Sequence, residues 1–193
     1  MSSSFRAIKS GSAHRRRGQA LPEFALIVPI LALILLSIIQ LSFIFAAQIG
    51  ITNAVREAAR LAAVTTPTTT TAQARGIGSN GQGVYDALTN TTTGFLKRNV
   101  FAYSSANLVT SVGTPTTQVC YQSFTDSAGK FAVKVKVEAE YRHPLFIPLI
   151  GAIIDGFDGV SDGSLRIGAT EELRVENDEL LSTYAGLGLT CAP

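Results

Sequence analysis

The residues best placed to do chemistry stand at one junction, Arg15-Arg16-Arg17-Gly18-Gln19-Ala20-Leu21-Pro22-Glu23-Phe24. Glu23 is a carboxylate at the start of a long apolar run. Burying such a charge in lipid is costly, so an ionisable residue there is a functional hypothesis by default. The plainer reading leaves Glu23 in the headgroup layer, favoured by the positive end of a helix dipole. The basic run directly before Gly18, with the carboxylate five residues beyond it, argues for more. Elsewhere the chemistry thins out. Asp155, Asp158 and Asp162 share a glycine-rich loop, and oxygen ligands on a flexible turn suit Ca2+. The spacing is not that of an EF-hand, however, and Arg166 stands where that loop needs Glu, so an acidic turn without metal is preferred. His143 is the only histidine outside the first eighteen residues, and no G-x-S-x-G, H-E-x-x-H or phosphate-loop motif accompanies it. Neither an enzyme nor a cofactor nor a small-molecule substrate is expected.

The element that positions Glu23 is unusual. From Phe24 to Val55 no residue is charged, and Phe24 to Ile49 is broken only by Ser37, Gln40, Ser42 and Gln48. About 20 apolar residues span a bilayer as a helix, whereas a secretory h-region needs only about 7–15. A single membrane span over about 24–47 follows. The first eighteen residues carry five basic and no acidic side chains, which leaves −3 on the remainder of a chain whose total is +2. Basic residues beside a span stay in the cytoplasm, so the N-terminus is expected inside and the chain after about residue 50 outside. Both Cys120 and Cys191 then face a compartment where disulfides persist; a pair and two unrelated thiols both remain open. The near-neutral total excludes a nucleic-acid partner recruited by global basicity, and a mean hydropathy of +0.27 reflects one apolar segment before a polar head.

Beyond Gln48 the pattern turns amphipathic. Ile51, Ala54, Val55, Ala58, Leu61 and Ala62 share one helical face, with Arg56, Glu57 and Arg60 opposite. Thr65-Thr66-Pro67 ends the run, giving a helix over 19–64, on the order of 65 Å long, half of it outside the membrane. Pro29 removes a backbone donor within the span and either loosens the helix or makes a tolerated kink. Residues 65–71 form a threonine-rich loop, and Val84 to Leu96 hint at a helix weakened by glycines. Strands follow over 119–124, 131–141 and 164–176, with a turn at Asp126–Gly129, in a sheet of three or four strands. Phe131 to Tyr141 alternates apolar odd positions with Lys134, Lys136, Glu138 and Glu140, the signature of a sheet covered on one face. Pro144 to Ile154 is an apolar excursion, read as core filler or as a surface docking on the bilayer or another subunit. The fold class is α+β, with a long N-terminal helix packed on a small antiparallel sheet in a 65–193 head.

The junction resembles the type IV prepilin processing site, in which a prepilin peptidase cuts after the glycine. That resemblance implies cleavage of the 1–18 leader after Gly18, with Gln19 as the new N-terminus and Glu23 at the fifth mature position. The new amine lies one helical turn from Glu23, and an amine compensates a buried carboxylate. In assembled pilins the resemblance assigns that amine to a neighbouring subunit, so that Glu23 sets register while Phe24 onward supplies shared apolar surface. Gly18 to Pro29 followed by Thr52-Asn-Ala-Val-Arg-Glu-Ala-Ala-Arg60 is similar to the TadE-like proteins, minor pilins or pseudopilins of the tight-adherence (Flp) pilus machinery. A looser echo runs through Val137–Pro148 and Arg174–Glu176. The resemblance implies a non-catalytic subunit of the cytoplasmic membrane, with the peptidase, other pilin-like subunits and an assembly platform as partners in adhesion or secretion. Its rivals are an uncleaved, signal-anchored envelope protein with a binding head and, more remotely, a membrane-tethered enzyme.

Overall fold

The computed structural model describes residues 20–64, 82–110, 117–155, 159 and 161–175. The basic run, Gly18, Gln19, Asp158 and Cys191 lie outside the described residues. Helix α1 runs Ala20–Val64, 45 residues with Pro29 inside it, or about 68 Å at 1.5 Å per residue. Two short helices follow, α2 (Gln82–Thr89) and α3 (Phe95–Asn99), then strands β1 (Gln118–Thr125) and β2 (Phe131–Pro144), helix α4 (Pro148–Ile154) and strand β3 (Ser164–Val175). The expected single helix between Val84 and Leu96 is two. Asn90 divides them, its Oδ1 accepting the amides of Thr92 at 2.8 Å and Thr93 at 3.0 Å, which substitutes a turn for helical bonding.

The strands form an antiparallel meander in the order β1-β2-β3, with β2 central. Val135 stands between Tyr121 and Leu173, which fixes the register. Odd residues of β2, namely Val133, Val135, Val137, Ala139, Tyr141 and His143, are buried on the helix-facing side. Even residues carry a charged ladder on the other face, with Lys134 to Glu172 at 2.9 Å and Lys136 to Glu138 at 3.1 Å. The alternation read from 131–141 is therefore the covered, one-sided sheet it implies, and the whole is an α+β arrangement of one long apolar helix on a three-stranded sheet. The outer face is less uniformly wet than its charges suggest. Gln118, Cys120 and Glu140 all sit there and are buried.

What covers the sheet is the C-terminal half of α1. Ala47, Ala54, Ala58, Ala59 and Ala62 are fully buried, with Ile51 and Val55 filling between them. A stripe of alanines brings the helix axis close to the strands, and Arg56, Glu57 and Arg60 remain exposed as their spacing predicts. Leu61 is a departure; it lies at the margin rather than in the packed face. Two tyrosines lock this layer from the sheet side. Tyr121 Oη donates to the Ala62 carbonyl at 2.7 Å, satisfying one of the otherwise orphaned carbonyls of the last turn of α1. Tyr141 Oη accepts from the Ser104 amide at 3.0 Å and donates to the Ala102 carbonyl at 3.2 Å.

The helical layer meets α1 most closely at Gly50, where a Cβ would overlap the Asn99 carbonyl at the end of α3. Leu88, Leu96 and Val100 fill the space around that approach. Backbone cannot rotate away as a side chain can. Gly50→Ala is therefore expected to lower head stability by about 1–3 kcal/mol, the ordinary cost of overpacking, despite a helix-propensity gain of about 1 kcal/mol. Thermal unfolding in detergent reads this directly, and a variant as stable as the parent would show slack between α1 and α3.

Candidate assembly site and its support

Glu23 lies in the first turn of α1, where an acidic side chain meets the positive end of the helix. Phe24 follows it and is 65% exposed. From Leu21 to Ile39 every side chain is exposed except the half-buried Ser37. This bare stretch is 19 residues, about 28 Å of helix, close to the roughly 30 Å of a bilayer core. Its serine, and the next one along the helix, are internally satisfied. Ser37 Oγ donates to the Leu33 carbonyl at 2.7 Å, and in the next turn Ser42 Oγ does the same to Ile38 at 2.8 Å. Hydroxyls bonded back to the helix cost little in an apolar medium. Among the described residues, α1 is the one helix long and apolar enough to cross a membrane.

The two glutamines that interrupt the apolar run have a different use. Gln40 is fully buried, and its Oε1 accepts the Ile147 amide at 3.1 Å. Gln48 Nε2 donates to the Gly168 carbonyl of β3 at 2.9 Å. Head packing thus begins at Gln40, inside the 24–47 stretch that the sequence marks as apolar. Phe43 seals the junction, its ring stacked on Phe101 at 5.4 Å and meeting Phe146 edge-on at 5.6 Å. Ion pairs add a rim: Arg56 to Glu171 at 3.8 Å and Glu57 to Arg98 at 3.5 Å. Both are exposed and worth about 0–1 kcal/mol each.

The remaining sequence candidates are dispersed rather than assembled. Asp155 Oδ1 accepts the amides of Asp162 at 3.2 Å and Gly163 at 2.7 Å. Asp162 in turn accepts from Ser164 and pairs with Arg142 at 3.5 Å; the Ser164 hydroxyl bond above all holds its carboxyl below the usual range. These carboxylates brace a loop, and among the described residues no group of three His, Cys, Asp or Glu is placed to hold a metal. Cys120 is buried on β1 and disulfide-bonded; Cys191, the other cysteine in the sequence, lies outside the described residues. A cavity of about 390 Å3 opens on the outer face where Gly168 presents no side chain opposite Glu140. Burial raises the Glu140 carboxyl pKa, partly offset by Arg166, whose guanidinium is 3.5 Å away. His143 belongs to the opposite face, so the sheet separates the two groups instead of uniting them.

Sequence reasoning missed Gln40, Gly50 and the Phe43–Phe101–Phe146 cluster. The available signal was polarity at Gln40 in an otherwise apolar run, which marks a helix face that something must cover. With that geometry in place, residues 18–60 match the family model of the TadE-like protein family, from the glycine of the junction to the packed face of α1. The match is consistent with a TadE-like pilin-type protein, and that family suggests involvement in the tight-adherence/Flp pilus system. No curated protein and no solved structure matches the chain.

His143 offers a test of how firmly the head is seated at the base of the helix. It is fully buried against Phe146, and among the described residues neither ring nitrogen has a hydrogen-bond partner. Burial lowers its pKa from the ordinary 6.5, so the folded head favours neutral imidazole. Its stabilising contribution is then present above 6.5 and is lost as pH falls through the depressed folded value, because the unfolded chain takes up the proton first. Glu140 runs oppositely: its raised pKa favours the folded state at low pH and that contribution fades as pH rises through the folded value. The melting midpoint is expected to fall on acidification from about pH 7.5 to about pH 5.5, and His143→Phe should flatten that slope. Equal slopes in parent and variant would remove His143 from the pH dependence.

Proposed function

We propose that the chain is a TadE-like minor pilin, held in the cytoplasmic membrane by α1, cut by a prepilin peptidase after Gly18, and active in assembly rather than catalysis. The observation that carries this reading is the continuity of α1. One helix opens on Glu23, stays bare for 19 residues, and then becomes the backbone of a folded head without a break. A soluble protein has no use for such a sheath, and Glu23, which a lone anchor would leave in the headgroup layer, gains a pairing role in an assembled bundle. The match beginning at Gly18 supports the cut being placed there.

In this reading the N-terminus before cleavage lies in the cytoplasm and the head outside. Cleavage frees the Gln19 amine, one turn from Glu23. In the fibre or its priming complex the Glu23 carboxylate pairs with the amine of a neighbouring subunit, since a charge in an apolar bundle must be compensated. The apolar sheath exchanges lipid for neighbouring helices. Phe45 and Ile49 continue that exposed strip past the start of the head. The sheet keeps His143 and Glu140 on opposite faces, and Asp155 and Asp162 brace their loop.

Mass spectrometry of the membrane-extracted protein from cells with an active prepilin peptidase should find a mature chain starting at Gln19. An intact Met1 or Ser2 start would overturn the processing step and favour the uncleaved anchor. Glu23→Ala and Glu23→Leu should leave membrane levels unchanged and reduce co-assembly with pilin-like subunits by more than about tenfold, because removing one partner of a buried pair costs about 3–5 kcal/mol. Undiminished co-assembly in both variants would take Glu23 out of the mechanism.

A further inference from the structure

Away from α1, four of the five exposed large apolar side chains of the described head cluster at one end. Phe101, Phe146, Leu149 and Ile153 are 56%, 43%, 59% and 69% exposed. All lie near the start of head packing on α1. Phe101 and Phe146 touch Phe43, and the Ile147 amide binds Gln40, which sets the start of α4 at that level. Helix α4 turns Ile150 and Gly151 inward, and Gly151 lies so close to Leu145 that a Cβ would meet the Leu145 Cβ at 3.1 Å. Leu149 and Ile153 therefore face out because the opposite side of the same short helix is committed to packing. The stretch Leu145–Ile154 contains no charged or polar side chain. The far end of the head differs: near Ala62 and Tyr121 it carries the Asp126–Arg174 pair at 3.4 Å, with Phe131 as its exposed large apolar residue.

We propose that the patch formed by Phe101, Phe146, Leu149 and Ile153 docks on the outer surface of the same bilayer that holds α1. This rests on the anchor reading above, and continuity with the bare helix carries it. The 19-residue sheath ends at Ile39, one residue before the buried Gln40, and spans about the thickness of a bilayer core. A sheath of that length places Gln40, and with it α4 and both phenylalanine rings, at the level of the headgroups. Apolar side chains on a short uncharged helix at that level enter the headgroup–acyl boundary, where apolar faces of surface-bound helices lie. A second copy of the chain is the competing occupant, and continuity of the patch with the bare helix favours lipid over it.

The sequence contains no tryptophan, so single-tryptophan variants report one position each. The full chain is reconstituted into phosphatidylcholine–phosphatidylglycerol vesicles with acyl chains brominated near the headgroup or near the chain end. Four variants are compared: Phe146→Trp and Ile153→Trp in the patch, Leu33→Trp in the sheath and Phe131→Trp at the far end. Shallow bromination should dim Phe146→Trp and Ile153→Trp by about half or more, deep bromination should dim Leu33→Trp similarly, and Phe131→Trp should lose less than about a tenth. Docking is overturned, and the anchor kept, if Leu33→Trp is dimmed while both patch variants answer aqueous iodide as fully as Phe131→Trp. Should Leu33→Trp also escape the brominated lipid, the anchor reading fails and docking with it. Shielding of the patch from iodide without bromolipid quenching, growing with the protein-to-lipid ratio, would assign the surface to a second copy and overturn the lipid. Ile153 is mostly exposed, so its replacement leaves the core intact and the test interpretable if Phe146→Trp perturbs the cluster.

Discussion

One helix has to satisfy two solvents, and the rest of the structure follows from how it does so. Over its first half α1 carries apolar side chains on every face, which suits a helix that fits a membrane anchor, with its backbone satisfied internally. Over its second half it needs one small, smooth face for the sheet and one charged face for water. The change takes place within about two turns, between Ile39 and Ala47. Gln40 is the pivot of that change. It is too polar for lipid, and the head covers it and gives it the Ile147 amide.

The alanine stripe explains why so small a sheet suffices. A two-stranded hairpin is marginal alone, and three strands are about the smallest sheet that is stable once its apolar face is covered. Packing the sheet on the α1 face that carries Ala54, Ala58 and Ala62 buries Val133, Val135 and Val137 fully within one shared core. Tyr121 and Gln48 then tie the two ends of that contact through backbone carbonyls, at Ala62 and Gly168. The outer face adds charge pairs across strands, which favour antiparallel register more than they add stability.

Local patterns were legible in the sequence and distant partnerships were not. The alternation from Phe131 to Tyr141 gives away β2 because period two has a single structural meaning, and the long apolar run gives away α1 for a similar reason. The polarity of Gln40 and Gln48 was visible, but their partners lie 107 and 120 residues away, and nothing local names them. Gly50 reads as a weak point in a helix until α3 is placed on it. The excursion after His143 presented two readings because helix α4 does both things: Ile150 fills space while Ile153 faces out. The expected single helix near Val84–Leu96 divided because Asn90 captured two amides, a choice that glycine-rich surroundings conceal.

Pro29 gives the arrangement a mechanical consequence. Its missing N–H leaves the Ala25 carbonyl without the usual helical donor, so α1 bends more easily there than anywhere nearby. From Pro29 to the clamp at Gln40 is about 16 Å, and to Ala62 about 50 Å. A bend of about 20° at Pro29 would swing the base of the head by about 6 Å and its far end by about 17 Å. Since no linker separates helix from head, the head is a stiff lever whose fulcrum lies within the apolar layer. A small tilt of the apolar segment is thereby converted into a large lateral sweep of the head.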